Sequence, residues 1–158
     1  MPRKITAADV CEVTGYSRSE LRSVLGALPY YSQQKSYPRK ARHFTRQDLT
    51  AICLVQELEA QFGMRREAIA TVFDVMHSTL SGPRDQNRQA CLLISLSPPA
   101  AKYEEGPVPI SPGICVRLGS VFERVDKHFG SFGAPVPEQR DLALHPALIG
   151  GRKRAKTS

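Results

Sequence analysis

Two short helices joined by a tight turn are written into residues 6–28, and they constrain the fold more than any other stretch of the chain. Thr6 is placed to cap the first helix, residues 7–14, and Asp9 favours the positive end of its backbone dipole. Ala7, Val10 and Cys11 form its apolar stripe, and Gly15 ends it because glycine accepts a left-handed backbone. Ser17-Arg18-Ser19-Glu20 then opens a second helix as a capping box, in which hydroxyl and carboxylate each satisfy an orphan backbone N–H. Leu21, Val24, Leu25 and Leu28 recur at helical spacing and make one face apolar. The opposite face offers Arg18, Ser19, Arg22 and Ser23, and Pro29 stops the helix. The result is a helix-turn-helix pattern with a donor-rich outer face.

Two helices this short cannot bury a core alone, so the segments after residue 29 have to complete it. Residues 30–44 carry Lys35, Arg39, Lys40, Arg42 and His43. Pro38 suits a turn tip, with Tyr37 and Phe44 as anchors for two arms, so a small basic hairpin, or wing, is expected. A third helix starts at Thr45, with Asp48 completing its cap, and runs to about residue 61. Its apolar positions, which include Leu49, Ile52, Cys53, Leu54, Val55 and Leu58, are too widely spread for one contact surface, so it should be central. Gly63 breaks it. A fourth helix puts Ile69, Val72, Phe73 and Met76 on one side but lacks a good cap at its start.

The second half is weaker in signal. Residues 81–88 read as a linker, 91–96 as a strand, and 97–112, with five prolines, as a loop. Residues 113–118 form a second strand, and a helix runs to about Phe129 with Val121, Phe122 and Val125 in register. Such a ββα unit is small for independent folding, so it should pack on the head or on a second copy. After Gly130 the chain is Gly/Pro-rich and ends in a basic run, for which disorder is expected. The organisation is therefore a mainly α chain: a head over 1–80, a linker and small ββα unit over 81–130, and a flexible basic tail over 131–158.

Charge sharpens the reading. Residues 1–46 hold nine Lys/Arg against three Asp/Glu, residues 47–151 hold nine against twelve, and the last seven residues add four positive charges. Positive charge gathered on the two-helix motif and its neighbouring loop is the electrostatic footprint of a nucleic-acid binder. Cys11, Cys53, Cys91 and Cys115 form no C-x-x-C pair and have no histidine at metal spacing, so they read as reduced core residues, with a metal or redox sensor as the sharper alternative. His43, His77, His128 and His145 are isolated, and no nucleophile–base or paired-carboxylate spacing points to an enzyme. No cofactor or metal is expected. No apolar run approaches a membrane span, and Met1-Pro2-Arg3-Lys4 is not followed by a signal region, so a cytoplasmic protein is expected.

From residue 5 to about residue 76 the chain resembles the MerR-type winged helix-turn-helix. The matching pieces include Thr14-Gly15-Tyr16-Ser17, Leu21-Arg22, Arg42-His43-Phe44 ahead of Asp48-Leu49, and Phe62-Gly63 with Glu67-Ala68-Ile69. The family usually places two aromatics after Leu-Arg, where this chain has Ser23 and Val24, and no long C-terminal dimer helix is evident. The resemblance implies a compact transcription regulator of the phage or mobile-element kind, acting in the bacterial cytoplasm or nucleoid. Its second helix would enter the major groove of double-stranded DNA with Ser17, Arg18, Ser19, Arg22 and Ser23. Lys35, Arg39, Lys40 and Arg42 would hold the backbone or a flanking minor groove. Arg22 has an alternative use in a surface ion pair with Glu20, Asp9 or Glu12, and Arg42 has one in bonding within the wing. A homodimer is expected because one subunit covers a short site, with contacts from the ββα unit. The alternatives are an excisionase-like factor that bends DNA and a winged-helix protein-interaction module without DNA binding.

Overall fold

The computed structural model describes residues 4–34, 40–81, 88–106 and 112–131. Within them the chain is mainly helical, with one small antiparallel sheet.

Three helices begin in the same way. In α1 (Ala7–Thr14), α2 (Arg18–Ala27) and α4 (Arg46–Phe62) the cap hydroxyls of Thr6, Ser17 and Thr45 accept the backbone N–H three residues on. The carboxylates of Asp9, Glu20 and Asp48 accept the N–H of the cap in return. Gly15, at φ 80°, closes α1 in the left-handed region and makes the turn to α2 sharp. α5 (Arg66–Leu80) has no side-chain cap, in keeping with its weak sequence start.

The segment expected to be a hairpin differs in its first arm. Pro29–Ser32 is a four-residue helix, α3, with proline at its first position, where the missing N–H is harmless. Tyr31 is only 2% exposed and its hydroxyl donates to Asp48 Oδ1 at 2.9 Å, so burial of this ring sets the local conformation. The far arm is strand-like at one point, where Phe44 bridges Ile5. Tyr37 and Pro38 lie outside the described residues.

α4 is central, with Leu49, Ile52, Cys53, Leu54, Val55 and Leu58 completely buried. The C-terminal unit has one strand more than expected. β1 (Cys91–Leu96) lies between β2 (Pro99–Glu104) and β3 (Ile114–Arg117), both antiparallel to it. β2 comes from the proline-rich stretch read as a loop. Pro99 begins it and pairs with Leu96 across Ser97-Pro98, and the strand sits at the sheet edge, where a residue without an N–H is tolerated. α6 (Gly119–Ser131) follows β3, so the unit is βββα.

This unit packs on the head. α5 lies against β1 and β2, and α6 lies against α4 and α1. One buried cluster runs through both halves, from Val10 and Leu49 to Leu92, Val116 and Val125. Arg124 of α6 donates to the side chains of Gln56 and Glu57 at 2.9 Å each, and His128 Nε2 stands 3.4 Å from Asp9 Oδ1. Of the strand residues and helix stripe expected to meet a second subunit, Leu92, Ile94, Val116 and Val121 are buried in the chain's own core, while Leu96 is exposed. No helix among the described residues is long and apolar enough to cross a membrane.

Candidate functional site

The outer side of α2 and the residues after α3 meet at a groove of about 640 Å³. Its walls are laid down by the two-helix motif. The apolar stripe of α2 turns Leu21 and Val24 inward, which leaves Arg18 and Arg22, one helical turn apart, exposed on the other side. Leu21, Leu25, Tyr31 and Phe44 give the groove an apolar lining, and Ala7, Ala8, Gly26 and Ala41 keep its walls low. Arg18, Arg22 and Arg42 all line it, and none of the described residues that line it is acidic.

The three arginines are not equivalent. Arg18 and Arg22 have no hydrogen bond or ion pair among the described residues, so the ion pair with Glu20, Asp9 or Glu12 considered for Arg22 is not formed there. Arg42 is half-buried, donates from Nη2 to the Tyr31 carbonyl at 3.1 Å, and lies 5.8 Å from the centre of the Tyr31 ring. It therefore has a structural duty that ties the residues after α3 to the core, and it presents its remaining donors to the groove.

The serines divide between capping and bracing. Ser17 is the cap of α2, and its hydroxyl is 3.1 Å from that of Ser19. The backbone and hydroxyl of Ser17 hold the Glu20 carboxyl below the usual range. Ser23 does not line the groove. Its hydroxyl accepts from Arg66 Nη1 at 2.7 Å. Arg66 also donates to Glu59, which accepts from the Tyr16 hydroxyl at 2.6 Å. Burial, and then the bond to Glu59, push the Tyr16 hydroxyl far up, so it stays a donor. This relay braces the α1–α2 turn against α4 and α5. Sequence reasoning misses it, because the one signal is the Arg65-Arg66 pair ahead of an uncapped helix. Lys40 is exposed and precedes Arg42 by two residues, while Lys35 and Arg39 lie outside the described residues.

Beneath the groove sits a buried polar cluster. Asp48 accepts from Tyr31, from Thr45 and from His77 Nε2, the last at 2.9 Å. Burial works to raise its pKa, but the bonds from His77, Thr45 and Tyr31 outweigh it and bring the carboxyl down to about 2. The cluster fixes Tyr31, and through the Tyr31 carbonyl it fixes Arg42. Among the described residues no group of three or more His, Cys, Asp or Glu is placed to hold a metal ion. Comparison with protein-family models, with curated proteins and with solved structures finds no match to this chain.

Proposed function

We propose that the chain is a double-stranded DNA-binding regulator, with α1 and α2 as a helix-turn-helix and the basic residues 35–42 as its wing. One observation carries this reading: Arg18, Arg22 and Arg42 surround a single groove with no acidic residue among the described residues that line it. Two of those guanidinium groups have no partner among the described residues, so no bond to them has to break when they meet phosphate or a guanine edge. The caps and the Tyr16–Glu59–Arg66–Ser23 relay hold α2 rigidly, as a base-reading helix requires. A symmetric pair of subunits would double the site length. With Leu92, Ile94 and Val116 buried, that pairing would use the sheet edges β2 and β3.

A second reading, a protein-interaction module, draws on the apolar lining from Leu21, Leu25 and Phe44, which suits an acidic amphipathic helix. Binding of labelled duplexes selected from a random pool, titrated at several salt concentrations, separates the two. Four to six phosphate contacts give a log–log slope of about −4 to −5. An affinity for duplex that hardly changes with salt, or no duplex enriched from the pool, rejects DNA binding and leaves the interaction module.

A further inference from the structure

The hydrogen-bond phase of the sheet distinguishes its two edges. In an antiparallel pair, residues alternate between those whose N–H and C=O face the partner strand and those whose groups face away. The Leu118 N–H donates to the Ala90 carbonyl at 2.9 Å, one step beyond the Cys91–Arg117 pair. Ala90, Leu92 and Ile94 therefore turn their backbone groups to β3, where Leu118, Val116 and Ile114 answer them. Gly113 agrees with this phase: a Cβ there would lie 2.7 Å from the Ile94 carbonyl oxygen, as it should if that oxygen points at β3. Cys91, Leu93 and Ser95 then serve β2 through Glu104, Lys102 and Ala100.

The alternation leaves Pro99, Ala101 and Tyr103 with outward backbone groups on β2, and Cys115 and Arg117 on β3. The β2 edge is obstructed. Pro99 has no N–H to offer, and the Ala101 carbonyl is met at 3.3 Å by the Thr79 hydroxyl, which it shares with the Val75 carbonyl. α5, which carries Thr79, packs along the strand. Nothing comparable guards β3. The outward N–H and C=O of Cys115 and Arg117 have no hydrogen bond among the described residues. Such a row of open donors and acceptors is a template for another strand.

We propose that β3 is the pairing edge for a second copy of this chain, with the two β3 strands antiparallel about a two-fold axis through Val116. The choice of occupant rests on the reading of the chain as a paired DNA binder. The edge is self-complementary: Cys115 of each copy meets Arg117 of the other, so every outward N–H of one strand finds an outward C=O of its counterpart. The same axis puts each Arg117 opposite an uncharged residue, so the two arginines do not face each other. Leu93 and Cys115, paired on one face of the sheet and both partly exposed, then run into their counterparts as one apolar strip across the junction.

The test uses the full chain without DNA, in sedimentation equilibrium over a concentration series, with amide hydrogen exchange read residue by residue at each concentration. A monomer–dimer equilibrium is expected. As dimer forms, exchange at the Cys115 and Arg117 amides should slow by on the order of tenfold or more, and exchange at Ala101 should not change. Cys115→Pro removes an outward N–H that β1 does not use, so it should give a folded monomer. Should that variant fail to fold, the exchange pattern of the unsubstituted chain decides alone. A chain that stays monomeric at every concentration, or a dimer that protects Ala101 and Tyr103 in place of Cys115 and Arg117, would overturn the proposal. Duplex binding is read separately. A β3-paired dimer that enriches no duplex ends the DNA reading and leaves the interface standing, whereas a chain that binds duplex as a monomer ends the interface and leaves the DNA reading.

Discussion

Arg22 and Arg42 line one groove, yet their substitutions should behave differently. Arg22 makes no internal contact among the described residues, so Arg22→Ala should leave the melting temperature unchanged and weaken specific duplex binding by about 1–3 kcal/mol. Arg42→Ala removes the bond to the Tyr31 carbonyl and the stacking on its ring, so it should also lower stability, by about 1–2 kcal/mol. Paired melting curves and anisotropy titrations read both effects. Equal losses of stability in the two variants would remove the distinction. The exposed arginines of α2 are legible in sequence because helical spacing alone turns them away from the apolar stripe. The bracing of Ser23 by Arg66 is not, because it joins residues 43 positions apart and no local pattern encodes it. Asp48 supplies a second residue-scale test. Its carboxyl falls from an ordinary 3.8 to about 2 on folding, so its contribution is complete above about pH 4 and is lost as pH falls through about 2. After allowance for solvent screening this amounts to on the order of 1–2 kcal/mol. Urea titrations between pH 5 and pH 2 should show that decline, and Asp48→Asn should flatten it. A variant that declines as steeply as the parent would assign the acid sensitivity elsewhere.

Elements with local start and stop signals are readable in the sequence, and those set by tertiary partners are not. The three capping boxes, the turn at Gly15 and the central placement of α4 depend on residues within a few positions of each other. β2 escapes a sequence reading because the proline-rich stretch it lies in resembles loop, whereas pairing with β1 and cover from α5 make an edge strand of it. α3 escapes because its helical turn depends on Tyr31 finding Asp48, seventeen positions away. Glycines inside these elements give an element-scale prediction with opposite signs. A Cβ on Gly26, near the end of α2, would meet no atom within 4 Å, so Gly26→Ala should stabilise the helix by about 0.5–1 kcal/mol. A Cβ on Gly119 would collide with the carbonyl oxygen of Arg88, because the Leu118 N–H still bonds Ala90 and draws the two chains together. Gly119→Ala should therefore lose about 1–3 kcal/mol, despite alanine's better helix propensity. Thermal melts of the two variants beside the parent settle the signs, and stabilisation by Gly119→Ala would place the start of α6 elsewhere.

At the scale of the whole molecule, the sequence suggests two units and the packing joins them. The polar run at residues 81–88, with its Gly82-Pro83 pair, marks a linker, and such signals describe the chain's solvent-facing side. They carry no information about which apolar faces meet. The faces of α4 and α5 are covered by β1, β2 and α6, and Arg124 reaches across to Gln56, Glu57 and the Cys53 carbonyl. A core shared in this way should unfold as one cooperative unit. Tyr16, Tyr30 and Tyr31 report on the head, and Tyr103 on the sheet. Denaturant curves read from tyrosine fluorescence should therefore coincide with those read from the helical far-ultraviolet signal. Leu92→Ala makes the demand stricter. Leu92 is fully buried in the sheet, and its truncation should lower the stability of the entire chain by about 2–4 kcal/mol, with the loss seen equally by the tyrosines of the head. If the head kept its midpoint while the sheet melted earlier, the halves would be separable, and a head of residues 1–80 alone should then bind duplex as well as the full chain does. If the midpoints move together, α6 and the sheet belong to the scaffold that holds α2 in place, and removing them should abolish duplex binding even though they contribute no residue to the groove.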